Sequence, residues 1–323
     1  MPRAARAAMA LGASGSMMLA GAHRALAHGA VPPAPSLTTI ISSWSAELLP
    51  WVGLIVLTVA YLVAVGVVNR HHPQTPIPVW RIGCWLAGVG AIGVALVSAV
   101  DLYATSLFSV HMVQHLLLAM VAPPLLALGA PVTLALRVAP MSLRRSVLLP
   151  ILHSRVVRAV SWPPVGWTLF AVVMWATHFS PLFDAALENP ALHDVEHLLY
   201  LTAGLLFWWP VIGADPVRWR LGPAARMVYL GAQMPLNTAV GLAIYFAPTV
   251  LYHHYATLRR PWGPDPVTDQ QVAGIVMWGA GDLILVIALL LAVAAGLQTI
   301  ERRSRRIEER TARYEKRASV DGS

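Results

Sequence analysis

His111 and His115 stand four residues apart, and so do His193 and His197. Residues four apart on a helix share a face about one turn, roughly 6 Å, along the axis. Two imidazoles so spaced can chelate one metal ion from a single helix. His178 adds a fifth imidazole from a separate stretch of chain. Imidazole suits copper, zinc, iron and nickel, whereas thioether sulfur selects copper(I). Met112, beside the first pair, and Met277 are therefore secondary candidates, with His253, His254 and His28. Asp194 and Glu196 flank the second pair and could accept the outer N–H of a ligating ring. The chemistry expected of these residues is metal binding, copper(I) first. Bis-histidine ligation of a b-type haem is the alternative.

These rings need elements that bring them to one place. Of 323 residues, 57% are hydrophobic and 12% charged, against about 25% charged in soluble domains. The chain reads as an all-α integral membrane protein. About 20 apolar residues cross the hydrocarbon core, and seven runs qualify: near 46–68, 81–101, 110–136, 159–178, 197–213, 226–247 and 272–297. Pro123-Pro124 and Pro235 are expected to bend the third and sixth. The expected organisation is a signal-like segment or anchor over 1–27, a leader over 28–45, a seven-helix bundle over 46–299 and a charged tail over 300–323. Arg3 and Arg6 precede a small-residue run, and Ala25-Leu26-Ala27 has the form of a cleavage site. Cleavage there would start the mature chain at His28, whose α-amine and ring can chelate copper together, on a Pro-rich tether. The lone Cys84 supports no disulfide framework.

The net charge of +8 reads as orientation rather than nucleic-acid binding. Arg70, Arg81, Arg137, Arg144, Arg145, Arg155, Arg158, Arg218, Arg220, Arg226 and the "ERRSRRIEER" tail fall at one end of the expected bundle. The positive-inside rule makes that end cytoplasmic. The loop "HFSPLFDAALENPALHDVEH" has four carboxylates and no Lys or Arg; Arg259-Arg260 is the exception at this end. The N-terminus is then outside and the C-terminus inside. His71, His72 and His153 sort with the arginines, and the candidate ligands sort to the outer end. Asp101, at the outer end of the second span, could face the histidines. Asp282 lies inside the seventh run, where a carboxylate is expensive unless paired or protonated. Gln233 and Asn237 are its expected partners, as an interhelical hydrogen bond or as a step in ion movement.

The segments "HMVQHLLLAMVAPPLLALGAPVTLALR" and "THFSPLFDAALENPALHDVEHLLYLTAGLLFWWPVIG" resemble signature segments of the CtaG family, the caa3-type cytochrome c oxidase assembly factors. "YLGAQMPLNTAVGLAIYFAPTVLYHHYA" and "DQQVAGIVMWGAGDL" resemble later segments of that family, so the likeness runs over about residues 45–300. It implies a multi-pass bacterial inner-membrane protein that helps build a haem–copper oxidase; the expected partners are oxidase subunits, membrane lipid and a periplasmic copper carrier. No nucleophile–base constellation and no phosphate-binding loop stand out, so a non-enzymatic role is expected. The rivals are a copper importer, a b-haem electron-transfer protein and a metal-free scaffold.

Overall fold

The computed structural model describes residues 31–216 and 218–321; the expected signal-like segment and His28 lie outside them. The described chain is helical, without a strand. Six helices are long and apolar enough to cross a membrane: α1 (Leu48–His71), α2 (Val79–Val97), α3 (Phe108–Val138), α5 (Pro190–Ile212), α6 (Pro223–Tyr245) and α7 (Pro266–Glu309). Between α3 and α5 lies α4 (Pro163–His178), whose 16 residues reach only about 24 Å. A second helix, Leu182–Glu188, follows it at 70°, and the pair counts as a seventh span if taken as one. Ser180-Pro181 lies at the corner; proline disfavours helix in the residue before it and supplies no N–H.

The sequence expectation of seven apolar runs is met when the bent pair is counted as one span, with shifted ends. The fifth begins at Pro190 rather than near 197, because Asn189 Oδ1 accepts from the Ala191 N–H at 3.0 Å and Pro190 occupies the first turn. His193 and His197 are consequently both inside α5 and do not straddle its start. The second ends at Val97, and Ser98 opens a separate short helix, Ala99–Ala104, which carries Asp101. The sixth continues through Pro235 as one helix. In α3 the ladder widens to a π-helical stretch at Leu117–Val121, just before Pro123-Pro124. Such stretches absorb a broken i→i−4 ladder and gather near functional sites. Another, Val276–Ala280, precedes Asp282.

Carboxylates from distant segments, the buried Asp269 and the half-buried Asp184, cap helix starts. The first turn of α3 has no capping side chain of its own. Asp269 of α7 takes the role, accepting from the Phe108 N–H at 2.7 Å and the Ser109 hydroxyl at 2.5 Å. An N-terminal cap of this kind is worth about 0.5–2 kcal/mol, and here it also ties the histidine-bearing turn of α3 to α7. Asp184 serves the short helix His253–Thr257 in the same way through the His253 and His254 N–H groups, both at 3.2 Å. Close backbone approach brings α5 onto α3: a Cβ at Gly204 would lie 2.5 Å from the Ala119 carbonyl oxygen and 2.7 Å from Pro123 Cγ. Around the periphery, large apolar side chains such as Val52, Ile55, Val56, Leu283 and Leu290 are exposed, as a lipid-facing surface requires.

Candidate metal centre

The start of α3, the end of α4 and the first turns of α5 meet at one end of the bundle. His111, His115, His178, His193 and His197 are all buried there, with Met112 and Glu196. The rings are in mutual contact. Centroids lie 4.3 Å apart for His111–His115, 5.4 Å for His111–His193, 5.8 Å for His115–His178 and 4.1 Å for His193–His197. Tyr200 stacks on His115 at 4.0 Å. Phe183, from the helix beyond the 70° corner, touches His111, His115 and His178. All five first-choice histidines of the sequence reading thus lie in one buried cluster.

Hydrogen bonds assign the tautomers. His178 Nδ1 lies 2.7 Å from the Met174 carbonyl oxygen. A carbonyl only accepts, so Nδ1 carries the proton, and in the neutral ring Nε2 presents a lone pair. That Nε2 faces Met112 Sδ at 3.4 Å. An Nδ1–H bonded to a backbone carbonyl is also the arrangement that orients metal-ligating histidines. Tyr255 donates its hydroxyl proton to the Ala104 carbonyl at 2.7 Å, so its oxygen is left to accept from His111 Nδ1 at 3.3 Å. His111 Nε2 then accepts from His115 Nε2 at 2.8 Å. His115 Nδ1 is left as a buried lone pair with no hydrogen-bond partner among the described residues. Burial raises the Tyr252 and Tyr255 hydroxyls above the ordinary phenol value, which keeps both as donors; Tyr252 donates to the His178 carbonyl at 3.0 Å.

Glu196 sits deeper in the set than its flanking position suggested. One ligand atom each from His111, His193 and Glu196 lie within 4.8 Å of one another. Glu196 Oε2 is 4.0 Å from His115 Nε2, and neither oxygen of Glu196 has a hydrogen-bond partner among the described residues. His197 Nε2 is in the same condition. Beside the cluster runs a cleft of about 250 Å³, lined among others by Glu47, Asp101, Thr105, His193, Asp194 and His197. Asp101 faces this cleft and accepts from Gln114 Nε2 at 3.1 Å.

The remaining candidates lie elsewhere. His253 is exposed, and His254 donates from Nε2 to the Thr105 carbonyl at 2.8 Å. Met277 is buried, and its carbonyl accepts from Asn237 Nδ2 at 3.3 Å. Asn237 also donates to Asp282 Oδ1 at 2.9 Å, and the Thr238 hydroxyl donates to Asp282 Oδ2. Gln233 is buried on the same helix, but its Oε1 has no hydrogen-bond partner among the described residues. Sequence reasoning missed Tyr200, Tyr255, Phe183, Asp269 and Thr238. Tyr200 had a signal, since it falls three residues after His197 and hence on its face; the others had none.

The family model for the cytochrome c oxidase caa3 assembly factor (Caa3_CtaG) matches residues 59–298, a span that contains every residue of the cluster. This chain belongs to that family. Among curated relatives, an uncharacterised protein of Mycobacterium bovis is 31% identical over 291 residues, covering 88% of this chain and 43% of the relative. A Mycobacterium tuberculosis counterpart gives the same figures. One from Mycobacterium leprae is 31% identical over 271 residues, covering 82% and 41%. The chain thus spans about two fifths of the length of the relatives it matches. No solved structure matches it.

Proposed function

We propose that this protein binds copper at the outer face of the bacterial inner membrane and passes it to a cytochrome c oxidase during assembly. Family membership supports the oxidase half of this reading. One observation supports the copper half: a cluster of five buried histidines in which His115 Nδ1, His197 Nε2 and both oxygens of Glu196 have no hydrogen-bond partner among the described residues. Buried polar atoms are almost always paired, and leaving one unpaired costs about 1–3 kcal/mol. Several together in one pocket are what an ion-binding site needs, and His178 with Met112 adds the nitrogen–sulfur chemistry that suits copper(I). Rings already in direct contact favour an ion over the flat macrocycle of a b-haem. The outer placement rests on the cation-poor loop before α5 and on the arginines at the opposite end. Copper is cargo here and the oxidase its recipient; a periplasmic carrier would supply it, and no chemical turnover is assigned to the protein.

Anaerobic metal analysis of the purified protein tests this. His178→Ala and His115→Ala are each expected to lower copper affinity at least tenfold and to leave oxidase activity low while the protein still accumulates. His71→Ala is expected to change neither, since His71 is exposed and bonds only its own helix, at the Val67 carbonyl. Copper retention unaltered in both pocket variants would remove the reading, and a Soret band in the wild-type protein would replace it with haem.

A further inference from the structure

The pocket contains two donor sets that differ in chemical hardness, and we propose that it holds two cations at once: a monovalent soft ion at His178 and Met112, and a divalent ion at His111, His193 and Glu196. This rests on the metal-binding reading above and adds to it the number and kind of ions.

The soft set is defined by the tautomer of His178. Its proton is committed at Nδ1 to the Met174 carbonyl, and Thr177 and Tyr200 reinforce that side of the ring. The Thr177 hydroxyl donates to the Val173 carbonyl at 2.8 Å, so it receives the Tyr200 proton at 2.5 Å. Tyr200 therefore has no proton to offer His178. Nε2 of the neutral ring is left with a lone pair 3.4 Å from the thioether sulfur of Met112, which offers only lone pairs as well. Two acceptors aimed at each other in a buried contact gain nothing from it. A cation bound by both converts it into an attraction. An imidazole nitrogen with a thioether selects copper(I) or its redox-inert analogue silver(I) over harder ions.

The second set has two imidazole nitrogens and a carboxylate oxygen within 4.8 Å of one another. Two histidines with a glutamate hold zinc in catalytic sites, and such N/O sets suit divalent first-row ions generally. The carboxylate brings a negative charge that offsets part of the repulsion between neighbouring cations. His115 stands between the sets, its centroid 4.3 Å from His111 and 5.8 Å from His178. Its Nε2–H fills the His111 lone pair, so an ion at the second set takes the place of that hydrogen bond. His115 is thereby the side chain through which occupancy of one set is felt at the other.

Silver(I) and cobalt(II) separate the positions in the full-length protein in detergent, by metal content, the visible ligand-field bands of cobalt and the sulfur shell in silver X-ray absorption. The expected result is one silver and one cobalt bound together. Met112→Leu should weaken silver at least tenfold and remove its sulfur shell while cobalt binding persists. Glu196→Gln should weaken cobalt at least tenfold while silver persists. Each variant thus reports the folding of the other through the ion it keeps. Stoichiometric displacement of cobalt by silver, or loss of both ions in either variant, would show a single shared position and overturn the proposal. Binding of neither silver nor copper by the wild-type protein would instead overturn the copper reading on which it rests.

Discussion

At the scale of the residue, the same physical rule separates two kinds of buried polar group in this protein. Asp282 is half-buried in α7 but satisfied: Asn237 donates to one oxygen and Thr238 to the other. The atoms His115 Nδ1, His197 Nε2 and both oxygens of Glu196 are buried with no hydrogen-bond partner among the described residues. The first pattern is that of an interhelical tie, the second that of a site. Asp282→Asn keeps an oxygen for Asn237, and the Thr238 hydroxyl can turn to accept from the new amide. Asp282→Leu removes the acceptor of the Thr238 hydroxyl and one of the two acceptors of the Asn237 amide, at about 1–3 kcal/mol per group left unpaired. Asp282→Asn is therefore expected to melt within a few degrees of wild type, and Asp282→Leu clearly lower, with metal content unchanged in both. Copper loss in Asp282→Asn at full thermal stability would instead place this carboxylate on an ion path, as an importer requires.

At the scale of the element, the centre depends on how closely α5 lies against α3. Gly204 permits that approach, one face-length below His197 and Tyr200. In Gly204→Val the side chain has nowhere to go, because the obstacles are the Ala119 backbone and the Pro123 ring rather than a movable chain end. Prying the helices apart separates the α3 histidines from the α5 histidines, so this variant should lose bound metal along with thermal stability. Gly231, on α6, has nothing within 4 Å of where a Cβ would stand. Gly231→Ala should be neutral, or stabilising by up to about 1 kcal/mol through helix propensity. Thermal melts and metal content of the two variants, measured side by side, check the contrast; a Gly204→Val protein with full metal content would show that the approach of α5 does not matter to the site. The π-helical stretch at Leu117–Val121 has a related role, re-phasing α3 after His115 so that the chain can pass Pro123-Pro124 without leaving an unpaired ladder inside the bundle.

At the scale of the whole molecule, the buried histidines cluster at one end and the arginine-rich loops at the other. Alkaline phosphatase, which is active only outside the cytoplasm, gives a direct reading when fused at chosen loops. Fusion after Glu188 should be active and fusion after Arg145 inactive; the reverse result would put the centre on the cytoplasmic side and end the idea of copper arriving from a periplasmic carrier. The bent pair α4 and Leu182–Glu188 matters at this scale too. By turning 70° rather than continuing outward, the chain lays Phe183 under three of the histidines and aims Asp184 at the His253–Thr257 helix, closing the pocket from the side where the loops gather.

What the sequence determined by itself was local in origin. Runs of about 20 apolar residues must be spanning helices because lipid leaves no other way to pair the backbone. The i,i+4 spacing of His111/His115 and His193/His197 puts each pair on one face whatever surrounds the helix. Tertiary structure alone decided which rings meet. Met112 and His178 are 66 residues apart, His111 and Tyr255 are 144 apart, and Phe108 is capped by Asp269 from 161 residues away. Contacts of that kind depend on the rotation of each helix about its axis and on its depth against its neighbours, to a few tenths of an ångström. Apolar periodicity carries no such precision here, because α1 and α4 are hydrophobic nearly all round and show lipid and core the same kind of side chain. Two further features hang on those long-range contacts. One is the pairing of the His178 lone pair with a thioether, and the other is the placement of Glu196 among the ligands.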